Sequence, residues 1–191
     1  MSYIGLAKPY IAKLKSQTTS PEGVTTPVYE KGFKCGKAVS VNITPNYNEA
    51  KLYADNILGE YAKEFKDGTM KLGTDRLPKE ADEVVFSHEV SEDGTTVTYK
   101  TGDSANWCGV GVYVEEILDG VKQYVAIVVF KTKFTEAAMD YETKGENITF
   151  KTPSMEGSIS ALDDTRWKTA KTFDKESEAE AFIKTTLNIT D

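Results

Sequence analysis

Val110, Val112 and Val114 alternate with Gly111 and Tyr113, and this period-two pattern predicts a strand. Asp119-Gly120 follows between apolar runs, a strong hairpin signal because glycine tolerates positive φ. From Tyr124 to Phe130 every residue is apolar or aromatic. A strand apolar on both faces is covered on both, so this run predicts a central strand. Beyond it the pattern becomes one-sided: Phe130, Thr132 and Phe134 are expected on one face, Lys131 and Lys133 on the other. Asn147 to Thr152 alternates Ile148 and Phe150 with polar residues, and Pro153 ends that strand.

The same patterns place the remaining elements. Tyr3 to Leu14 reads as an extended strand, with Ile4 and Leu6 on one face. Ser16 to Lys31 reads as a linker-like loop, because Pro21, Gly23 and Pro27 stand among Ser and Thr and Gly32 follows. A loop of that length is either disordered or functional. The functional form is an arm or long hairpin that orders against a neighbouring subunit. Ala38 to Thr44 alternates cleanly and Pro45 closes it. From Asn46 to Phe65 the apolar spacing is helical, but Asp55-Asn56 and Gly59 suit a helix interior poorly. Asp67-Gly68 signals a turn, and Thr69 to Thr74 a strand with Met70 and Leu72 inward.

Leu77 to His88 predicts a helix, with Pro78 in its first turn and Ala81, Val84, Val85 and His88 as one stripe. Val84-Val85-Phe86 as a strand is the alternative. Asp93-Gly94 is a turn and Thr95 to Lys100 a strand. Ser158 to Leu162 is a short strand, Asp163-Asp164 a turn, and Trp167 and Phe173 anchor the C-terminal segment. Lys175 to Leu187 predicts a helix with Asp174 as N-cap. Ala179, Phe182, Ile183 and Leu187 are its apolar stripe, and Glu176, Glu178 and Glu180 its solvated face. Together these describe one mainly β domain, an α+β sandwich or barrel of roughly eight to ten short strands with one or two helices.

The order and spacing of several blocks carry a resemblance. They are Glu49-Ala50-Lys51-Leu52-Tyr53-Ala54-Asp55-Asn56, Lys66 to Leu72, Thr101-Gly102-Asp103-Ser104, Gly109-Val110-Gly111, Asp119-Gly120-Val121, Lys131-Thr132-Lys133-Phe134 and, above all, Thr143 to Gly157. From roughly Phe33 to Trp167, the chain resembles the major tail protein family of long-tailed bacteriophages. The resemblance implies a tail-tube-like fold over 1–191, with an arm at 15–32 and a C-terminal helix at 175–187. It favours short strands and loops over a helix between Asn46 and Phe65. It implies a virion subunit, made in the bacterial cytoplasm, that forms hexameric rings stacked into a hollow tail tube. Its partners would be copies of itself, the tape measure and the tail terminator, with DNA passing through the lumen unbound. The family has no catalytic motif, so none is carried over. Interface candidates are Ser16, Thr19, Pro21, Gly23, Thr26, Pro27, Lys131 and Lys133. Removing residues 16–31 is expected to leave a folded monomer that forms no tubes.

Composition narrows the alternatives. With 191 residues, ten Tyr and eight Phe, one domain can bury a good core. The longest apolar run falls far short of the roughly 20 residues of a membrane helix, and the N-terminus has no basic region followed by an apolar segment, so no secretory signal is expected. The three sequons, at Asn42, Asn147 and Asn188, then read as chance matches. The net charge of −7, from 23 basic and 30 acidic residues, disfavours specific DNA binding but suits a surface DNA slides past. Cys35 and Cys108 read as free thiols, with one bridge between them the alternative.

No cofactor or metal is expected. Two cysteines with a single histidine, His88, make no usual zinc site. His88 has no partner motif and reads as a core or boundary residue. Gly109-Val110-Gly111 lacks the third glycine of a dinucleotide fingerprint and reads as a close backbone approach or kink. Adjacent carboxylates (Asp82-Glu83, Glu115-Glu116, Asp163-Asp164) read as solvated surface. The competing function is a soluble β-sandwich module that binds carbohydrate or protein through exposed aromatics. An enzyme is the weakest reading.

Overall fold

The computed structural model describes residues 2–54, 57–136 and 152–190. Its strands are β1 (Ser2–Thr19), β2 (Thr25–Lys34), β3 (Ala38–Ala54), β4 (Ile57–Thr74), β5 (Glu89–Val90), β6 (Val97–Thr98), β7 (Trp107–Leu118), β8 (Val121–Thr135), β9 (Ser154–Ile159) and β10 (Lys168–Phe173). Its helices are α1 (Lys79–Val84) and α2 (Glu176–Thr186). The main sheet is antiparallel and runs β2-β1-β7-β8-β9-β4-β3, with β10 also on β8. The mainly β, α+β class expected from the alternation is the class observed.

The apolar run at 124–130 lies in β8, and β8 is the central strand. Its outer neighbour changes along its length: β10 pairs with Tyr124 to Val129, and β9 with Thr132 to Thr135. A bulge marks the fork. Cys108 lies opposite Thr132 and Val110 opposite Val129, so Phe130 and Lys131 together face Gly109. One extra residue reverses the side-chain faces. Phe130 therefore packs with Ala126 and Val128 in one core, while Phe134 packs with Val129 in the other. All of Phe130, Thr132 and Phe134 are buried as expected, but the bulge separates Phe130 from Phe134.

The first core draws on strands from both ends of the sheet order, including Ile11, Met70, Leu72, Val110 and Met155. β3, the last strand, comes back beside β1, so the sheet rolls around this core. Val84 and Val85 at the end of α1 are buried, and Val85 belongs to this core. The second core lies on the other face, where α2 presses Ala179, Ile183 and Leu187 onto Tyr10, Tyr29 and Tyr113. The β7–β8 turn has positive φ at both Asp119 (51°) and Gly120 (80°), the geometry the Asp-Gly pair encodes.

Several expectations are corrected. Residues 15–32 take the long-hairpin form rather than that of a disordered loop, closed by a turn at 20–24. Pro45 does not end its strand: β3 continues to Ala54, with Pro45 opposite Gly68. Proline is tolerated there because β3 is an edge strand. Asp67-Gly68 lies inside β4, where Gly68 admits Thr44 O at 3.0 Å from a would-be Cβ. The helix expected over Leu77–His88 contracts to α1, since Ser87 takes a positive φ of 61°. Its whole stripe is nonetheless buried, His88 included. The Thr95–Lys100 strand shrinks to β6, and the Ser158–Leu162 strand lies earlier, as β9. The strand expected at 147–152 lies outside the described residues except Thr152, which is in neither helix nor strand.

Cys35 and Cys108 are free and fully buried, and burial pushes both thiols up to about 12. Trp167 stacks on Phe65 at 4.7 Å, and Phe173 packs on Phe182 at 5.6 Å, the two anchors expected of that segment.

α2 is capped by Lys175 rather than Asp174, and its acidic face is only partly solvated. Glu180 takes a 2.6 Å bond from Lys8 Nζ and a 2.5 Å bond from Tyr10 Oη, and Tyr113 Oη donates to Glu176. A bulge in β1, with Lys8 at φ 44°, carries the lysine to the helix. Burial alone would raise the Glu180 carboxyl, but the bonds from Lys8 and Tyr10 outweigh it and bring it down to about 2. A carboxyl depressed on folding stabilises the fold above its unfolded value, about 4.3, and that contribution drains away as pH falls toward 2. Glu180→Gln should therefore lower the melting temperature at pH 7 and flatten its decline between pH 5 and 2. Scanning calorimetry of the two chains across that range reads this; parallel curves would refute it.

Candidate assembly surface

The candidates at Ser16, Thr19, Pro21, Gly23, Thr26 and Pro27 all fall on the β1–β2 hairpin. Ser16 and Thr19 are in β1, Pro21 and Gly23 in its turn, and Thr26 and Pro27 in β2. Thr18 lies opposite Thr26 and Gln17 opposite Pro27. Gly23 supplies the positive φ, 83°, that the turn needs. The hairpin is not a free arm. Thr25 N donates to Asp164 Oδ2 at 2.8 Å, and Arg166 bridges the Asp164 carboxylate and the Thr25 carbonyl. The Arg166 guanidinium brings Asp164 down to about 2. Tyr29 is buried and donates to the Phe130 carbonyl at 2.7 Å. β2 is nevertheless an edge strand, interrupted by Pro27, which donates nothing, and by a bulge at Lys31.

Lys131 and Lys133 lie on β8 beside Trp107, the first residue of β7. Their ammonium groups stand 5.2 and 6.0 Å from the indole centroid, and Lys133 Nζ reaches Ser104 Oγ at 3.4 Å. Among the described residues, no bond joins this patch to the β1–β2 hairpin.

Between Asn46 and Phe65, where helical spacing competed with the short strands implied by the resemblance, strands form: this is the distal half of the β3–β4 hairpin. Its two strands pair from Tyr47–Phe65 outward to Ala54–Ile57, and β4 meets β9 only from Gly68 onward. Residues 46–51 and 60–64 are all exposed, so this ribbon stands clear on both faces. One face is stiffened by a ladder of mutual contacts. Phe65, itself stacked on Trp167, meets the Tyr47 ring edge-on at 6.3 Å, and Lys63 lies 4.6 Å over Tyr47. Lys63 also pairs with Glu49 at 3.2 Å, and Lys51 covers Tyr61 at 5.7 Å. The other face carries Asn48, Ala50, Ala62, Glu60 and Glu64. The available signal was the alternation Tyr47-Glu49-Lys51 and Tyr61-Lys63-Phe65. Helical spacing of tyrosine and alanine competes with that alternation in the same stretch.

A second exposed apolar feature sits at the β7–β8 turn, where Leu118 lies opposite Val121 and Ile117 is next to it. His88 is buried elsewhere, 3.3 Å from Asp82 Oδ1, stacked on Phe86 and tilted against Tyr99. Among the described residues no cluster of three metal-ligating side chains occurs, and no helix is long and apolar enough to cross a membrane. Scanned against known protein families, the chain matches none, and a search of curated proteins returns no match either.

Proposed function

We propose that this chain is a structural subunit that assembles with copies of itself into rings stacked as a hollow tube, the tail tube of a phage virion. The tail-protein resemblance of the sequence is the starting point. The observation that carries the reading further is the β3–β4 ribbon: two paired strands exposed on both faces and, among the described residues, open along both edges. Open strand edges invite pairing with another chain, and natural proteins shorten or cover them unless a partner is meant to bind. The ribbon is long, stiffened on one face, and anchored to the body at its base, through Phe65 on Trp167. Among the described residues the sheet itself also ends in two edge strands, β2 and β3. Such edges on one chain suit a head-to-tail contact that closes a ring by rotation. DNA passing through an acidic lumen, and contacts with the tape measure and tail terminator, follow from the same reading.

The alternative is a β module that binds carbohydrate or protein, with exposed Tyr47 and Tyr61 as its ligand platform. Negative-stain electron microscopy across a concentration series, with light scattering alongside, separates the two. Rings or hollow tubes are expected. A monomer at every concentration that saturates with a sugar or peptide would replace the tube reading with the module.

A further inference from the structure

We propose that the plain face of the β3–β4 ribbon docks on the Trp107–Lys131–Lys133 patch of a second copy; this rests on the self-assembly reading above. Ala50 stands opposite Ala62 on this face, and Asn48 opposite Glu64, with Glu60 one pair further out. Among the described residues, neither Glu60 nor Glu64 has an ion-pair partner, whereas Glu49 and Lys63 on the ladder face satisfy each other. The body carries the converse. Lys131 and Lys133 are held over one indole, and neither meets a carboxylate among the described residues. Two ammonium groups on one ring repel each other until an anion arrives.

The shapes correspond as well. Lysines two residues apart on a strand project roughly 7 Å apart on one face. The ribbon offers two carboxylates beside a pair of alanines, whose side chains end at Cβ and leave a flat floor for an indole. Within one chain the ribbon cannot turn this face to its own patch, because the opposite face is the one fixed to the body through Phe65 on Trp167. The occupant is therefore a second copy. An acidic face and a basic patch on different elements suit a head-to-tail contact, in which each copy gives its ribbon to one neighbour and receives that of another.

Charge exchange tests this. Lys131→Glu with Lys133→Glu, and separately Glu60→Lys with Glu64→Lys, should each raise the concentration needed for assembly about a hundredfold, since both place like charges face to face. The chain carrying all four changes should recover assembly, and so should an equimolar mixture of the two double variants. Unchanged thermal melting by circular dichroism verifies that the variants fold. If the wild type forms tubes and either double variant assembles at the same concentration, the docking is wrong while the tube reading stands. Failure of both the four-change chain and the mixture also overturns the docking. A wild type that stays monomeric by sedimentation at its highest soluble concentration overturns both.

Discussion

A chain in which residues 48–64 are replaced by Asn-Gly folds to a stable monomer and forms no rings or tubes. The junction is chosen on the register: Tyr47 and Phe65 are directly opposite, and a two-residue Asn-Gly turn closes such a pair. What remains keeps the Tyr47–Phe65 contact, the Phe65–Trp167 stack and all pairing of β4 with β9. Every described side chain removed is exposed, so the stability lost should be within about 1 kcal/mol. Assembly should be lost at every concentration, because both the open edges and the Glu60–Glu64 face go with the ribbon. Size-exclusion chromatography and negative-stain microscopy read the result, and tubes of normal appearance would refute the ribbon's role. Removing 16–31 instead should give an unfolded chain rather than the folded monomer that loss of a loop would leave. It deletes Tyr29 and Thr25, which are buried, and the Tyr29 bond to Phe130.

That reversal shows which parts of the molecule were legible in the residues. Strands with a regular apolar period announce themselves: Val110, Val112, Met70 and Leu72 are buried as their alternation requires. So does the doubly covered β8, and so does the Asp119-Gly120 turn. The ribbon's alternation was a weaker signal, because a strand solvated on both faces has no burial to impose period two. The alanines and tyrosines from Ala50 to Phe65 then fell by accident at helical spacing. Breakers misled for the opposite reason. Pro27 and Pro45 lie on edge strands, where a missing N–H is harmless, and Gly68 serves a close strand approach rather than a turn. The face reversal at Phe130 was invisible because a bulge is a property of two strands, and only the pairing with β7 reveals it.

The glycines at 109 and 111 are another feature of pairing and packing, and they carry the second large effect. Both sit on β7 under α2, two residues apart and therefore on one face. A Cβ at Gly109 would lie 2.5 Å from Tyr29 Cε1 and 2.6 Å from Leu187 Cδ2, and one at Gly111 would run into Ile183. None of these neighbours has room to yield, since Tyr29, Ile183 and Leu187 are all buried. Gly111→Val should therefore cost about 3 kcal/mol or more, the upper range for overpacking. The loss should be read first as faster hydrogen exchange in α2 and then as a lower urea midpoint. Gly5→Ala is the control, because its Cβ would meet Glu115 Cβ at an ordinary 3.6 Å. Ile183→Ala alone should cost about 2–5 kcal/mol through the cavity it leaves. Gly111→Ala together with Ile183→Ala should cost less than the sum of the two, because the new methyl enters the space the isoleucine vacates. Strict additivity would mean that the helix lifts off rather than repacks. A wild-type midpoint for Gly111→Val would mean that α2 does not rest on β7 at all.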